Sequence, residues 1–218
     1  MRPTSPNSDQ RTTRQFETGH SRRARTKLVE RLKRKGIRNQ AVLDALETVP
    51  RHLFLDPEQF DNAYVDTALP IGHAQTISQP FVVALMSEML LTATKKNQRV
   101  LEIGTGCGYQ TAILSHLFDR VYSVERILSL LQRAEKNLEL LSINNATLQH
   151  GDGTTGWPGQ ETFDAIIVTA ASDNLPQPLL RLLEADTCLI APIGAPGHQQ
   201  LTTLRNQNGL ISSETTEA

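Results

Sequence analysis

The residues best suited to chemistry in this 218-residue chain are three closely spaced glycines and two acids downstream of them. Gly104-Thr105-Gly106-Cys107-Gly108 follows the apolar run "RVLEI" and precedes a helical pattern. Glycine lets a chain turn sharply between strand and helix, and lets a ligand come close to backbone N–H groups with no Cβ in the way. Glu125 closes a second apolar run, "VYSVE", about 20 residues later, where a carboxylate can accept hydrogen bonds from both hydroxyls of a ribose. Asp152 and Gly153, in "HGDG", end a third run, where a side-chain acceptor can take the exocyclic amine of adenine. Each feature also has a plainer reading: a tight turn with no ligand, a solvated strand end at Glu125, and an Asx turn at Asp152. Glu102, two residues before Gly104, either faces the amino-acid part of a cofactor or supports the loop from beneath.

Spacing separates the candidate ligands. A dinucleotide fingerprint, G-x-G-x-x-G, wants glycine where this chain has Tyr109, and no G-x-x-x-x-G-K-[ST] phosphate loop occurs. S-adenosylmethionine (AdoMet) is then favoured over a dinucleotide or a ligand-free turn, once the later motifs are counted. The six histidines show no metal-ligand spacing, so no metal is expected. No Ser-His-Asp constellation suggests itself either.

These residues need elements to hold them. From position 99 onward, strand-like runs alternate with helical ones: "RVLEIG", "GYQTAILSHLF", "RVYSVE", "LSLLQRAEKNLELL", "ATLQHGD", "FDAIIVTAA", "PQPLLRLL" and "DTCLIAPIG". "QQLTTLR" and "GLISSET" follow as weaker strand candidates. Strands buried on both faces and separated by helices imply an α/β fold with a doubly wound, mostly parallel sheet. In such sheets ligands bind at the carboxyl ends of the strands, near the point where strand order reverses. Upstream, "QAVLDALETVPRHLFL" reads as a helix ending near Pro50, and about 57 to 80 as short strands and loops. "PFVVALMSEMLLTA" reads as a helix with Pro80 in its first turn.

Length and composition suit one domain spanning 21–218, with an N-terminal helical and substrate-side region at 21–80 and a cofactor-binding core at 81–218. Of the 22 Lys and Arg residues, 12 lie within the first 38 positions. Such an arm could meet nucleic acid, but Ala24, Leu28 and Leu32 recur every fourth residue between Arg22 and Lys35, which favours an amphipathic helix with a solvated basic face. Residues 1 to about 20 are expected to be disordered. No apolar run approaches the roughly 20 residues that span a bilayer, and the N-terminus lacks a signal peptide's apolar stretch, so a cytoplasmic location with no membrane partner is expected. A monomer with no nucleic-acid partner is a separate expectation. Cys107 and Cys188 sit in interior-type stretches and are not expected to pair.

"TALPIGHAQTISQP", residues 67 to 80, resembles the substrate-side signature of the protein-L-isoaspartate O-methyltransferase family. "LEIGTGCGYQTAILS" is similar to that family's cofactor loop, and "VPRHLFL" and "FDAIIVTAA" fall in the same order, so the likeness runs from about 25 to 205. The resemblance implies a Rossmann-like AdoMet methyltransferase fold with an N-terminal helical extension. It also implies methyl transfer to the free carboxylate of L-isoaspartyl residues in damaged proteins, with S-adenosylhomocysteine as co-product and a succinimide opening the way to repair. By the same resemblance Ser78 is the active-site serine, flanked by Thr76, Ile77 and Gln79. Glu102, Gly104, Gly106, Gly108, Glu125, Asp152 and Gly153 take cofactor positions. An ionised carboxylate needs no general base, so Ser78 reads as an orienter of the acceptor and not as a covalent nucleophile. His73, in the same loop, reads as a turn residue.

Two departures from the family pattern stand out. Ala74 replaces a residue that is commonly glycine or another small or polar one, which matters only if positive φ is required there. The family usually finishes with an apolar segment resembling "VRFVPL", whereas this sequence stops at "SSETTEA", leaving sheet and cleft less covered. The alternatives are methyl transfer to another acceptor, such as a small carboxylic acid, another protein group or RNA, with the basic arm recruiting it, or, because the C-terminus is short, binding of AdoMet or a partner protein with little or no turnover.

Overall fold

The computed structural model describes residues 18–170, 175–195, 198–207 and 209–216. Helix α1 spans Gly19–Arg34, opened by a capping box in which the Thr18 and Ser21 side chains each accept the other's backbone N–H. The expected disordered arm falls outside the described residues as far as 17; Thr18 to His20, which that expectation included, instead begin this helix. The reason is the cap, which satisfies two N–H groups that the first turn leaves without partners. Leu28, Val29 and Leu32 face inward, and Arg22, Arg23, Lys27 and Arg31 stay exposed.

Helix α2, Gln40–Thr48, is capped by Asn39 and buries Val42, Leu43, Ala45 and Leu46. Pro50 ends the helical run and starts a short 3-10 turn, Arg51–Phe54, followed by another at Pro57–Asn62. Strands β1, Leu69–Gly72, and β2, Gln75–Ile77, form an antiparallel hairpin of their own. Helix α3, Pro80–Ala93, has Pro80 at its first position.

The core sheet then builds as β3 (Arg99–Ile103), α4 (Tyr109–Ser115), β4 (Arg120–Glu125), α5 (Leu128–Leu140), β5 (Ala146–His150), β6 (Ala165–Val168), α6 (Gln177–Arg181) and β7 (Cys188–Ile193). Strands β8 (Gln200–Gln207) and β9 (Leu210–Thr216) complete it. The order across the sheet is β5-β4-β3-β6-β7-β8-β9. The first five strands are parallel and the last two pair antiparallel. Ala165 to Val168 and Cys188 to Ala191 are buried throughout, as parallel strands covered on both faces require. One apolar cluster joins Leu28, Leu46 and Phe54 of the N-terminal elements to Val100, Ile113 and Ile167 of the sheet region. A second, built on Leu101, Ile166, Leu179 and Leu189, fills the other face. Both cysteines are buried and free, and burial raises their thiols to about 11 at Cys107 and about 12 at Cys188.

Strand order reverses at β3, which has β4 on one side and β6 on the other. The loops leaving the carboxyl ends of these strands carry Gly104 to Gly108, Arg126 and Thr169, and this is the crevice where the site lies.

Candidate active site

The glycine turn is fastened to β4. The Gly104 N–H donates to the Val124 carbonyl at 2.9 Å, and the Gly106 N–H donates to Glu125 Oε2 at 2.8 Å. These turn N–H groups are therefore engaged by β4, where the sequence suggested that they would approach a ligand. The glycines contribute space. At Gly104, φ is +101° and a Cβ would fall 2.5 Å from Thr169 Oγ1. Thr169 in turn donates that hydroxyl to the Gly104 carbonyl at 2.5 Å, locking the exit of β6 against the turn.

Gly108 has a different task. At φ +89° it caps α4, and a Cβ there would sit 3.1 Å from the Ala134 Cβ of α5. It lines neither cleft, and its lack of a side chain makes room for the approach of α5.

Glu102, also expected to touch the cofactor, is fully buried under the turn and lines neither cleft. Its Oε2 accepts from Thr111 Oγ1 at 2.5 Å and Ser123 Oγ at 2.7 Å, while Oε1 has no hydrogen-bond partner. Ser123 also bonds Thr105 at 2.6 Å, so the acid supports the turn through a hydroxyl. Burial pushes its carboxyl up to about 8, against the opposing pull of Ser123 and Thr111 and with the help of the nearby Glu125 charge.

Two adjoining clefts open at this crevice. The wider, of about 270 Å³, is lined by Gln75, Ile103, Gly104, Glu125, Asp152, Gly153, Val168 and Leu179, among others. The narrower, of about 80 Å³, is lined by Ile71, Gln75, Thr76, Ile77, Ser78, Gly104, Gly106, Tyr109, Glu125 and Thr169, among others. Gln75, Gly104, Glu125 and Ala170 belong to both, so one continuous groove results. A larger cavity, about 590 Å³, lies at the amino ends of β4 and β5 beside Pro50, His116 and Asn145, and contains none of the expected site residues.

Of those residues, Gly104, Gly106, Glu125, Asp152, Gly153, Thr76, Ile77 and Ser78 share the groove. Asp152 Oδ1 accepts the Thr154 N–H at 2.9 Å, the Asx turn that its sequence allows. Those backbone and side-chain bonds hold its exposed carboxyl below the usual range. Gln79 stands off the groove, hydrogen-bonded to Asp66, which also accepts the Phe81 N–H at 2.9 Å and Lys35 Nζ at 2.5 Å. Burial raises the Asp66 carboxyl, but these donors prevail and hold it below its ordinary value. Asp66 thereby caps the first turn of α3 and fixes the backbone immediately after Ser78.

Gln75, Thr169 and Ala170 were not singled out by sequence reasoning. Thr169 had a signal: a hydroxyl at the carboxyl end of a strand beside the reversal point. Gln75 had only its place next to Thr76. His73 stays in the turn between β1 and β2, 2.8 Å from Ser129 Oγ.

A family model described as Protein-L-isoaspartate(D-aspartate) O-methyltransferase matches residues 23–218. The chain is 48% identical over 197 residues to the protein-L-isoaspartate O-methyltransferase of Hahella chejuensis, covering 90% of this chain and 93% of that one. It is 50% identical over 190 residues to the enzyme of the same name from Pseudomonas syringae pv. tomato, covering 87% and 90%. Among solved structures, a Plasmodium falciparum protein described as a protein-L-isoaspartate O-methyltransferase in complex with S-adenosyl-L-homocysteine superposes with a TM-score of 0.77. It shares 28% identity over 92% of this chain and 95% of that one.

Proposed function

The chain belongs to the protein-L-isoaspartate(D-aspartate) O-methyltransferase family, and from that premise we propose that it transfers the methyl group of AdoMet to the free carboxylate of L-isoaspartyl residues in damaged proteins and peptides. One observation carries the reading: the segment holding Ser78 and the glycine turn line the same narrow cleft, which opens into the wider one at Gly104 and Glu125. The residues present suit the cofactor. Gly104 and Glu125 both lie where the two clefts meet, and a Cβ at Gly104 would press on Thr169 and Ala170 of the cleft wall.

When bound, AdoMet supplies an electrophilic methyl group on a sulfonium and departs as S-adenosylhomocysteine. Glu125 has lone pairs beyond those given to Gly106 and Ile127, and these accept from the ribose hydroxyls. Asp152, with one oxygen on Thr154, takes the adenine amine with the other, and Gly153 lies beside it. Thr76 and Ile77 wall the narrow cleft, and Glu102 and Gly108 act from beneath and behind the turn. The acceptor carboxylate, with an ordinary pKa near 4, is ionised at neutral pH, so no base is required. Ser78 donates its hydroxyl to that carboxylate or the adjacent backbone, which supplies alignment while the cleft excludes water. The backbone nitrogen of the following residue then closes on the ester carbonyl with loss of methanol to give a succinimide, which water reopens in part to aspartate, so the transfer initiates repair.

The reading takes 21–80 as the substrate-side region and 81–218 as the AdoMet core of one domain, acting as a cytoplasmic monomer on protein substrates. Among the described residues no helix is long and apolar enough to cross a membrane. Purified protein with methyl-labelled AdoMet is expected to form base-labile ester on an isoaspartyl peptide and none on its aspartyl twin. Label on both peptides, or on neither, would overturn the assignment.

A further inference from the structure

Helix α5 presents three polar side chains at four-residue spacing, Ser129, Arg133 and Asn137, and each ends on a different segment of the site. Four residues is one helical turn, so the three lie on one stripe beside the buried Leu130, Ala134 and Leu138. Ser129 Oγ bonds His73 Nε2 at 2.8 Å, in the turn of the β1–β2 hairpin. Arg133 donates from Nη2 to the Phe54 carbonyl at 2.9 Å and from Nη1 to the Ile71 carbonyl at 3.4 Å. Its Nη2 also pairs with Asp56 at 3.1 Å. Asn137 donates to the Cys107 carbonyl at 2.9 Å, within the glycine turn. The close approach of Ala134 to Gly108 sets the height at which the stripe meets these partners.

We infer that Arg133 is a positioning residue for methyl transfer: from the helix that follows Glu125 it fastens the acceptor-side hairpin to the cofactor core. The inference rests on the function proposed above. The argument is geometric. Among the described residues the hairpin is a two-stranded sheet that pairs with no other strand, so nothing in the core sheet's ladder fixes its height over the glycine turn. Ile71 lines the narrow cleft with Ser78, and its carbonyl is one of the two that Arg133 holds. A guanidinium can serve two carbonyls and a carboxylate at once because its five donors lie in one rigid fork. An ammonium on a flexible stem reaches fewer of them. Loosening this link leaves Glu125 and the core-sheet wall of the wider cleft as they are, Gln75 being the hairpin residue that also lines that cleft, while the acceptor drifts relative to the methyl donor. A displacement of about 1 Å at a reacting centre costs on the order of a hundredfold in rate.

The test compares Arg133→Met and Arg133→Lys with the parent in the full chain. Three readouts are taken: amide hydrogen exchange over residues 69–77, the dissociation constant for S-adenosylhomocysteine by calorimetry, and kcat and KM for an isoaspartyl peptide. For Arg133→Met the expected result is faster exchange in the hairpin and a loss of kcat/KM of roughly ten- to a hundredfold, with cofactor affinity held within about threefold. Lysine is expected to restore part of both losses. Unchanged hairpin exchange overturns the inference. So does a fall in S-adenosylhomocysteine affinity equal to the fall in kcat/KM, since the residue would then merely support the core. The exchange and binding readouts need no turnover: an inactive parent that binds S-adenosylhomocysteine would sink the proposed function, while hairpin exchange would still decide whether Arg133 docks the hairpin.

Discussion

Glu125 Oε2 accepts the Gly106 N–H at 2.8 Å, so the acid proposed to hold a ribose also holds the glycine turn. Its other oxygen accepts the Ile127 N–H at 2.9 Å, at the start of α5. The turn, the end of β4 and the next helix are thus joined at one carboxylate. Glu125→Ala is expected to weaken AdoMet binding by about 1 to 3 kcal/mol, from the loss of charge-assisted hydrogen bonds. Glu125→Gln should weaken it too, because an amide group presents N–H to a neighbouring N–H. Calorimetry on both variants provides the check, and an unaltered dissociation constant would remove Glu125 from the site.

Ser78 is proposed to bear on the acceptor and not on the cofactor. It lines the narrow cleft only, between the buried Ile77 and the first turn of α3 that Asp66 caps. Replacing it with alanine removes one hydrogen bond to a charged group, worth about 1.5 to 3 kcal/mol when realised in the transition state. Turnover of Ser78→Ala should therefore fall by about tenfold or more with cofactor affinity near that of the parent. Steady-state rates with an isoaspartyl peptide at parental levels would contradict the orienting role.

The two residues of the hairpin turn carry an unfavourable backbone. His73 has φ +52° and Ala74 φ +54°, the left-handed region that an L residue with a Cβ avoids at a cost of roughly 1 to 2 kcal/mol. Positive φ at both central positions is the usual solution for a two-residue hairpin, because it matches strand twist. Ala74→Gly is accordingly expected to stabilise the protein by about 1 kcal/mol, less what glycine adds to the entropy of the unfolded chain. His73→Gly should gain less, since it gives up the Ser129 contact. Urea midpoints decide both, and a lower midpoint for Ala74→Gly would mean that the turn does not need this conformation.

Much of this was legible in the chain alone, for identifiable reasons. Strand β6 is marked by an uninterrupted apolar run, and β3 by one broken only at Glu102 after its exposed first residue, because both their faces are covered. Strand β9 is faint because every residue in it is exposed, leaving no buried face to set a pattern. The site's second layer was hidden for another reason. Thr169 meets the Gly104 carbonyl and Ala134 meets Gly108 through contacts between residues distant in sequence; the threonine had only its place at a strand end to mark it, and nothing in an alanine advertises such a contact. Glu102 and Gly108 illustrate the same limit: sequence did not show that the side chain of one meets Thr111 and Ser123 beneath the turn, or that the missing side chain of the other makes room for Ala134.

Glu102 predicts a pH dependence of stability. Its folded carboxyl titrates at about 8, raised by burial above the usual carboxylate value of about 4.3. Between these values the unfolded chain releases the proton and the folded chain keeps it, so this group's contribution to stability declines as pH rises from about 5 to 8. The limiting slope is on the order of 1 kcal/mol per pH unit. Glu102→Gln has no proton to lose and keeps an oxygen to accept from Ser123 and Thr111. The variant should match the parent near pH 5 and exceed it in urea midpoint near pH 8. Parallel midpoint curves for the two proteins across that range would show that Glu102 is already ionised beneath the turn at neutral pH.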